Sequence, residues 1–259
     1  MFSKKRKLIT ILFLAGLISL LFLHSVQATP ITYDDFSNLV ASLGKWIVYD
    51  PDEISTYNES DGVVEINGPP ISSWFYAIST YYFTGDFDIR MRYQDWSLTT
   101  SSDEYTNVSI SLQVHPVGGG ATNFVYIFRG APNGSEGCYI ANNCFNSDWG
   151  LSAGVQTNDT AGWLRITRED NNFSTYYSSD GTNWNFLYGA SDGFTDPVLI
   201  QVSAYTGDTT TTFHAEFDQV DVESEGMTPI PEPGTMILLG SLATGLFGMA
   251  GLRRRVANR

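Results

Sequence analysis

The stretch "GDFDIRMRYQDW" puts Phe87, Ile89, Met91 and Tyr93 on one side of an extended chain and Asp88, Arg90, Arg92 and Gln94 on the other. Side chains alternate across a strand with a period of two, so this pattern belongs to a strand with one buried face and not to a helix. The same alternation returns in "NVSISLQV", through Val108, Ile110, Leu112 and Val114, while "TNFVYIFRG" is apolar on both faces, as a central strand is. "KWIVYD", "GVVEIN", "SWFYAISTYYF", "GWLRITRE", "NFSTYYS", "WNFLYG", "PVLIQVSAY" and "TTFHAEFDQVDVE" are further extended runs. Turn-forming clusters stand between them, among them Asp61-Gly62, Gly118-Gly119-Gly120, Asp180-Gly181 and Asp192-Gly193. More than ten short strands with almost no helical periodicity predict an all-β fold, an antiparallel β-sandwich in one domain spanning residues 29–225.

Charge is distributed unevenly along the chain. Between Thr29 and Ile230 there are six basic side chains against 27 acidic ones, a net of −21. A surface this acidic repels phosphate backbones and anionic lipid, which argues against nucleic-acid binding. The other basic residues lie at the two ends. Lys4, Lys5, Arg6 and Lys7 precede an apolar run, Leu8–Leu23, and the small-residue site Val26-Gln27-Ala28. Residues 1–28 therefore read as a secretory signal, with cleavage expected after Ala28. Export implies an oxidising compartment, where Cys138 and Cys144 are expected to pair across "CYIANNC"; the alternative is two reduced thiols.

One hairpin is sharply defined. "FSTYYSSDGTNWNFLYG" sets Ser178-Ser179-Asp180-Gly181 between two aromatic-rich strands, and the Asp-Gly step supplies the positive φ that such a turn needs. With "GWLRITRED" before it and "FHAEFDQVDVE" as a closing strand, this arrangement resembles bacterial concanavalin A-like (jelly-roll lectin/glucanase) sandwiches. The resemblance spans about Asp34 to Glu223, and its specific part is Gly162–Tyr188 with the last strand. It implies the architecture; the fold hosts lectins, glycosidases and adhesion modules alike.

Across "EFDQVD" and the residues flanking it the apolar parity changes, from Phe213, Ala215 and Phe217 to Val220 and Val222. A bulge near Asp218-Gln219 would reconcile the halves and bring Glu216, Asp218 and Asp221 to one outer face. That spacing is close to the Glu-x-Asp-x-x-Glu strand of laminarinase-type retaining glucanases, whose two carboxylates stand about 5–5.5 Å apart across the scissile bond. Here the last position is Asp221, one methylene shorter than Glu, and the motif lies in the final strand. The competing reading is a solvated acidic face, and no catalytic residue is assigned. His115 and His214 stand in no metal-ligand or triad spacing. No cofactor is implied, although Asp50, Asp52 and Glu53 in "DPDE" form a weak set of oxygen donors for a structural calcium ion. Sugar binding needs exposed aromatic platforms; Trp74, Trp96 and Trp149, near strand ends, are the candidates for glycan contact. Trp46, Trp163 and Trp184 read as core.

After Gly226 the composition changes. "MTPIPEP" is a Pro-rich spacer over residues 226–233; residues 234–252 carry no charge and are long enough to cross a bilayer; Arg253, Arg254 and Arg255 open a basic tail, residues 253–259. The positive-inside rule keeps that tail cytoplasmic and places the acidic sandwich beyond the inner membrane. Pro231, Glu232, Pro233 and Gly234, an apolar helix and an arginine cluster together resemble the PEP-CTERM sorting signal of Gram-negative bacteria. The resemblance implies recognition by an exosortase-like membrane protease/transpeptidase, transient anchoring, and release to the cell surface or extracellular matrix. A permanent anchor is the alternative. The expectation is thus an exported carbohydrate-binding or adhesion module with polysaccharide as its partner, the alternatives being a secreted laminarinase-like glycosidase or a structural biofilm-matrix component.

Overall fold

The structure is a computed structural model that describes residues 31–38, 42, 44–58, 62–69, 72–100, 107–117, 123–132, 137–145, 148–150, 153–191, 193–195, 197–207 and 211–230. The export signal, the Pro-Glu-Pro motif, the apolar span and the basic tail lie outside these residues. Among the described residues no helix is long and apolar enough to cross a membrane.

Two antiparallel sheets make up the fold. In the front sheet β14 (Asn185–Ala190), β13 (Asn172–Ser178), β12 (Gly162–Glu169), β6 (Tyr81–Thr100) and β16 (Thr211–Pro229) lie side by side. The free edge of β16 then pairs with β4 (Val63–Gly68) along one half and with β1 (Ile31–Asp34) along the other, and β3 (Ser55–Asn58) extends β4. The back sheet runs β9 (Cys138–Phe145), β8 (Phe124–Pro132), β7 (Asn107–Pro116), β15 (Val198–Thr206), β5 (Ser73–Ser79), β2 (Trp46–Tyr49). Beyond β9 stand the short strands β10 (Asp148–Trp149) and β11 (Ala153–Gln156). A single pair, Val198 with Phe83, ties the sheets at one corner.

The alternation seen in the sequence fills the space between the sheets. Ile89, Met91, Leu164, Ile166 and Val220 from the front meet Ile110, Leu112, Ile127 and Ile200 from the back, each of them fully buried. At about 25 cal/mol per Å² of apolar surface removed from water, each such side chain contributes about 1.5–3 kcal/mol. Two arginines lie in this core. Arg168 donates to Gly85 O and Phe194 O and stands 4.7 Å from the Phe87 ring. Arg129 donates to Gly130 O (3.0 Å) and Asp159 O (3.1 Å) beneath the Trp96 ring. Tyr93 and Tyr139 share a hydrogen bond of 2.6 Å, and Tyr139 Oη donates onward to Asp159 (3.0 Å). Burial first, and the nearby Asp159 charge with it, pushes both phenols well above their ordinary range.

Three expectations need correction. "CYIANNC" is not a loop: it is strand β9, so Cys138 and Cys144 lie six residues apart along an extended chain, about 20 Å, far beyond the separation a disulfide spans. Both are buried free thiols. The sheet also continues past residue 225. Gly226, Met227, Thr228 and Pro229, expected as the start of a spacer, pair with Thr84, Phe83, Tyr82 and Tyr81. Of the tryptophans expected in the core, only Trp46 is buried; Trp163 and Trp184 are half-buried on the outer face of the front sheet.

Candidate functional site

The outer face of the front sheet carries a row of aromatic and charged side chains. Register places Phe186, Tyr176, Arg165, Arg90 and Asp221 in one row across β14, β13, β12, β6 and β16. The row is about 19 Å long at about 4.8 Å per strand spacing. Three of the six basic residues between Thr29 and Ile230 lie on this face: Arg90, Arg92 and Arg165.

Asp88 holds two of them. Its carboxylate accepts from Arg90 (Nε 3.1 Å, Nη2 2.6 Å) and from Arg165 (Nε 2.8 Å, Nη2 2.6 Å). Burial alone would raise the Asp88 pKa; the two guanidiniums outweigh it and hold the carboxyl below the usual range. Aromatic rings enclose the far side of the pair. The Arg165 guanidinium stands 5.0 Å from the Tyr176 ring and 5.1 Å from Trp184, and Phe186, 61% exposed, meets Tyr176 edge-on at 5.7 Å.

The carboxylate side is built on β16. Between Phe217 and Gln219 the register slips, two residues of β16 facing one step of β6, so Asp218 is the extra residue of a bulge. The expected bulge is present, and Glu216, Asp218 and Asp221 all lie on the face away from the core. Glu216 Oε2 accepts from Gln94 Nε2 (2.7 Å), with His214 Nε2 3.7 Å from Oε1. Asp221 Oδ1 accepts from Gln219 Nε2 (2.8 Å). Asp218 pairs with Arg92 Nη1 at 3.0 Å but is only 10% exposed, and its Oδ1 is buried without a hydrogen-bond partner. Burial is the main cause of its raised pKa, aided by Glu216 and opposed by Arg92. Beyond Glu216 the face opens into a polar hollow of about 310 Å³ bordered by Asn67, Ser97, Thr99 and His214.

No protein-family model and no curated protein sequence matches the chain. Solved structures do. The β-glucanase of Bacillus licheniformis superposes with a TM-score of 0.55 at 12% identity, over 76% of this chain and 99% of that one. A legume lectin-like domain from Entamoeba histolytica gives 0.54 at 10% identity, over 76% and 97%. The exoplasmic/lumenal domain of VIP36, in a Ca²⁺- and Man2-bound form, gives 0.53 at 13%, over 74% and 86%. The fold is concanavalin A-like.

On this concanavalin A-like frame the remaining candidates are scattered. Trp74 is half exposed on the outer face of the back sheet, its ring 4.0 Å from that of Tyr205. Trp96 is not a platform. Asp95 adopts φ 51° where β6 gains a residue against β16, which shifts the alternation and turns Trp96 into the core, 3% exposed, against Phe213. Trp149 pairs with Cys144 at the sheet edge; its side chain lies outside the described residues. Of the "DPDE" carboxylates, Asp50 serves its own turn, accepting from the N–H groups of Ile54 and Ser55 (2.9 Å each), while Asp52 accepts from Trp74 N–H of β5 (3.3 Å). Among the described residues no three His, Cys, Asp or Glu side chains come together as a metal site.

Arg165, Tyr176, Trp184 and Phe186 join the candidate site through the strand register. The signal existed in period two, because Trp163, Arg165 and Thr167 must share a face opposite Leu164 and Ile166. Which strand neighbours β6 was not readable, so the row across the sheet was hidden.

Proposed function

We propose that the sandwich is the carbohydrate-binding module of an exported cell-surface or matrix protein, and that the outer face of the front sheet is its ligand surface. One observation carries this reading: a row of about 19 Å, at about 4.8 Å per strand, with two aromatic rings at one end, two arginines in the middle and the Asp221 carboxylate at the other. Aromatic faces accept the C–H faces of sugar rings, and fixed donors and acceptors select their hydroxyls. The lectin-like structural neighbours support the reading. Glycan-array screening of the exported protein, repeated with Phe186→Ala and Arg165→Ala, tests it. Absence of glycan binding, or binding unchanged in both variants, would sink it.

A laminarinase-like glycosidase is the second reading, favoured by the bulge that puts Glu216, Asp218 and Asp221 on one face. Hydrolysis of a β-glucan that Glu216→Gln abolishes and Asp221→Glu increases would support it. Binding without hydrolysis leaves the module reading in place.

Delivery rests on the sequence resemblance of the tail. An exosortase-like enzyme recognises Pro231, Glu232 and Pro233, and the apolar span ahead of Arg253, Arg254 and Arg255 holds the protein at the inner membrane until processing. Replacing the three motif residues with alanine should leave full-length protein in the inner-membrane fraction. Trimmed mutant protein at the cell surface would refute it.

A further inference from the structure

Strand β16 does not stop short of the Pro-Glu-Pro motif. Thr228 pairs with Tyr82 and Pro229 with Tyr81, and the Ile230 N–H still donates to Thr80 O (2.8 Å). Pro231 is the next residue, and Gly234, where the apolar span opens, is four positions past Ile230. Such a stretch reaches at most about 14 Å. Pro231, Glu232 and Pro233 are therefore tethered directly to the sheet, with no spacer ahead of them. Proteolysis needs backbone that is free to enter the enzyme, so residues locked in a strand resist it until they open. On the N-terminal side of the motif those are residues 226–230.

This last stretch of pairing is weakly held. Among the described residues, β4 and β1 cover the outer edge of β16 only as far as Val222, so from Glu223 onward the strand is held from the β6 side alone. Gly85 and Asp86 of β6 stand against the single residue Glu225, a bulge in which Gly85 takes φ 68°. The irregularity separates the terminal pairs from the long ladder before them. Met227, Thr228 and Pro229 are exposed, and Gly226 has no side chain, so the segment buries little apolar surface of its own. Short, one-sided pairing with little burial belongs to the low-stability end of a fold.

We propose that residues 226–230 form a detachable clasp that controls processing. Paired with β6, the clasp keeps the backbone ahead of Pro231 out of a protease; peeled from β6 at the Glu225 bulge, it frees that backbone for cutting. The proposal rests on the delivery reading given above for the tail. Peeling also lengthens the free chain before Gly234, from about 14 Å to roughly 30 Å, which lets a membrane-bound enzyme reach the motif clear of the sandwich. The rate of release then follows the open fraction of the clasp, while the rest of the sandwich stays folded.

The test is a reversible lock on the full-length exported chain. Tyr82→Cys/Thr228→Cys ties the clasp to β6 at facing positions, and the buried Cys138 and Cys144 do not compete. With the lock oxidised, full-length protein should accumulate in the inner-membrane fraction at least tenfold over wild type, and dithiothreitol added to the membranes should restore trimming. A Gly-Ser spacer inserted between Ile230 and Pro231 should restore it with the lock still closed. Trimming of the locked protein at the wild-type rate overturns the proposal, as does failure of the spacer to rescue it. Amide exchange of the purified full-length protein in detergent reads the clasp without the enzyme. Met227, Thr228 and Ile230 should exchange at least tenfold faster than residues 217–222, and equal rates overturn the proposal. Replacing Pro231, Glu232 and Pro233 with alanine keeps the two readings apart. If that variant is trimmed normally, the delivery reading fails and the clasp has no motif to shield. If it stays untrimmed while the locked protein is trimmed, only the clasp fails.

Discussion

Arg92 Nη1 stands 3.0 Å from Asp218 Oδ2, and the two residues occupy opposite environments: the arginine side chain is 44% exposed, the aspartate 10%. Asp218 is the bulged residue of β16, placed there because the strand must keep Phe217 and Val220 both in the core. Its second oxygen is buried without a partner, and its proton affinity is raised despite the ion pair. The ionised carboxylate therefore costs the fold stability, as buried charges do when pairing does not offset desolvation.

Asp218→Asn should consequently raise the thermal midpoint at pH 7, since Arg92 remains solvated and the amide carries no charge to desolvate. The same change should weaken ligand binding or hydrolysis at the front face. Calorimetry beside glycan affinity separates the two. A lower midpoint with unaltered binding would show that the pair is merely structural.

Arg129 presents the opposite case. Its guanidinium is 3% exposed and its donors reach the carbonyls of Gly130, Thr157 and Asp159. Arg129→Ala strands those acceptors and removes the partner of the Trp96 ring. Hydrogen bonds from a charged donor contribute about 1.5–3 kcal/mol each, so a loss of about 3 kcal/mol or more is expected. For a domain of this size that lowers the midpoint by roughly 6–12 °C. Arg129→Lys, a point charge without the fork, should recover only a small part.

How much of this was legible depends on the range of the information. Alternation is local, so the inward set Phe87, Ile89, Met91 and Tyr93 and the parity break at Asp218 could be read directly. Strand order is not local: nothing within "GWLRITRE" says that Arg165 stands beside Arg90 and Tyr176. Trp96 was misplaced for a related reason. An aspartate with φ 51° at position 95 inverts the parity of the following residues, and Asp reads as a turn residue as readily as a bulge. The cysteine pairing fails for a local reason: Tyr139, Ala141 and Asn143 face inward along a single strand, which holds Cys138 and Cys144 six residues apart in extended chain.

That geometry has a direct consequence for redox behaviour. Cys138 and Cys144 cannot meet, and burial pushes the Cys138 thiol up. Non-reducing denaturation followed by thiol titration should count two free thiols, and the folded protein should react slowly. Dithiothreitol should leave the thermal midpoint where it is. A midpoint that falls on reduction would require the disulfide after all.

His115 gives the fold a pH dependence that can be isolated. It lies on β7 against Phe124, its Nε2 buried without a hydrogen-bond partner, and burial lowers its pKa from 6.5 to about 4. The folded chain keeps this imidazole neutral, whereas the unfolded chain protonates it near pH 6.5. Between pH 6.5 and 4 the unfolded state therefore binds more protons, and stability drops as pH falls through that window, by about 2–3 kcal/mol from this residue. His115→Phe keeps a ring beside Phe124 and removes the titration. Relative to wild type, the variant should gain stability as pH is lowered from 7 to 4, the carboxylates contributing equally to both. Urea midpoints at the two pH values measure the difference. Parallel losses in both proteins would show that the imidazole is protonated within the fold at no cost.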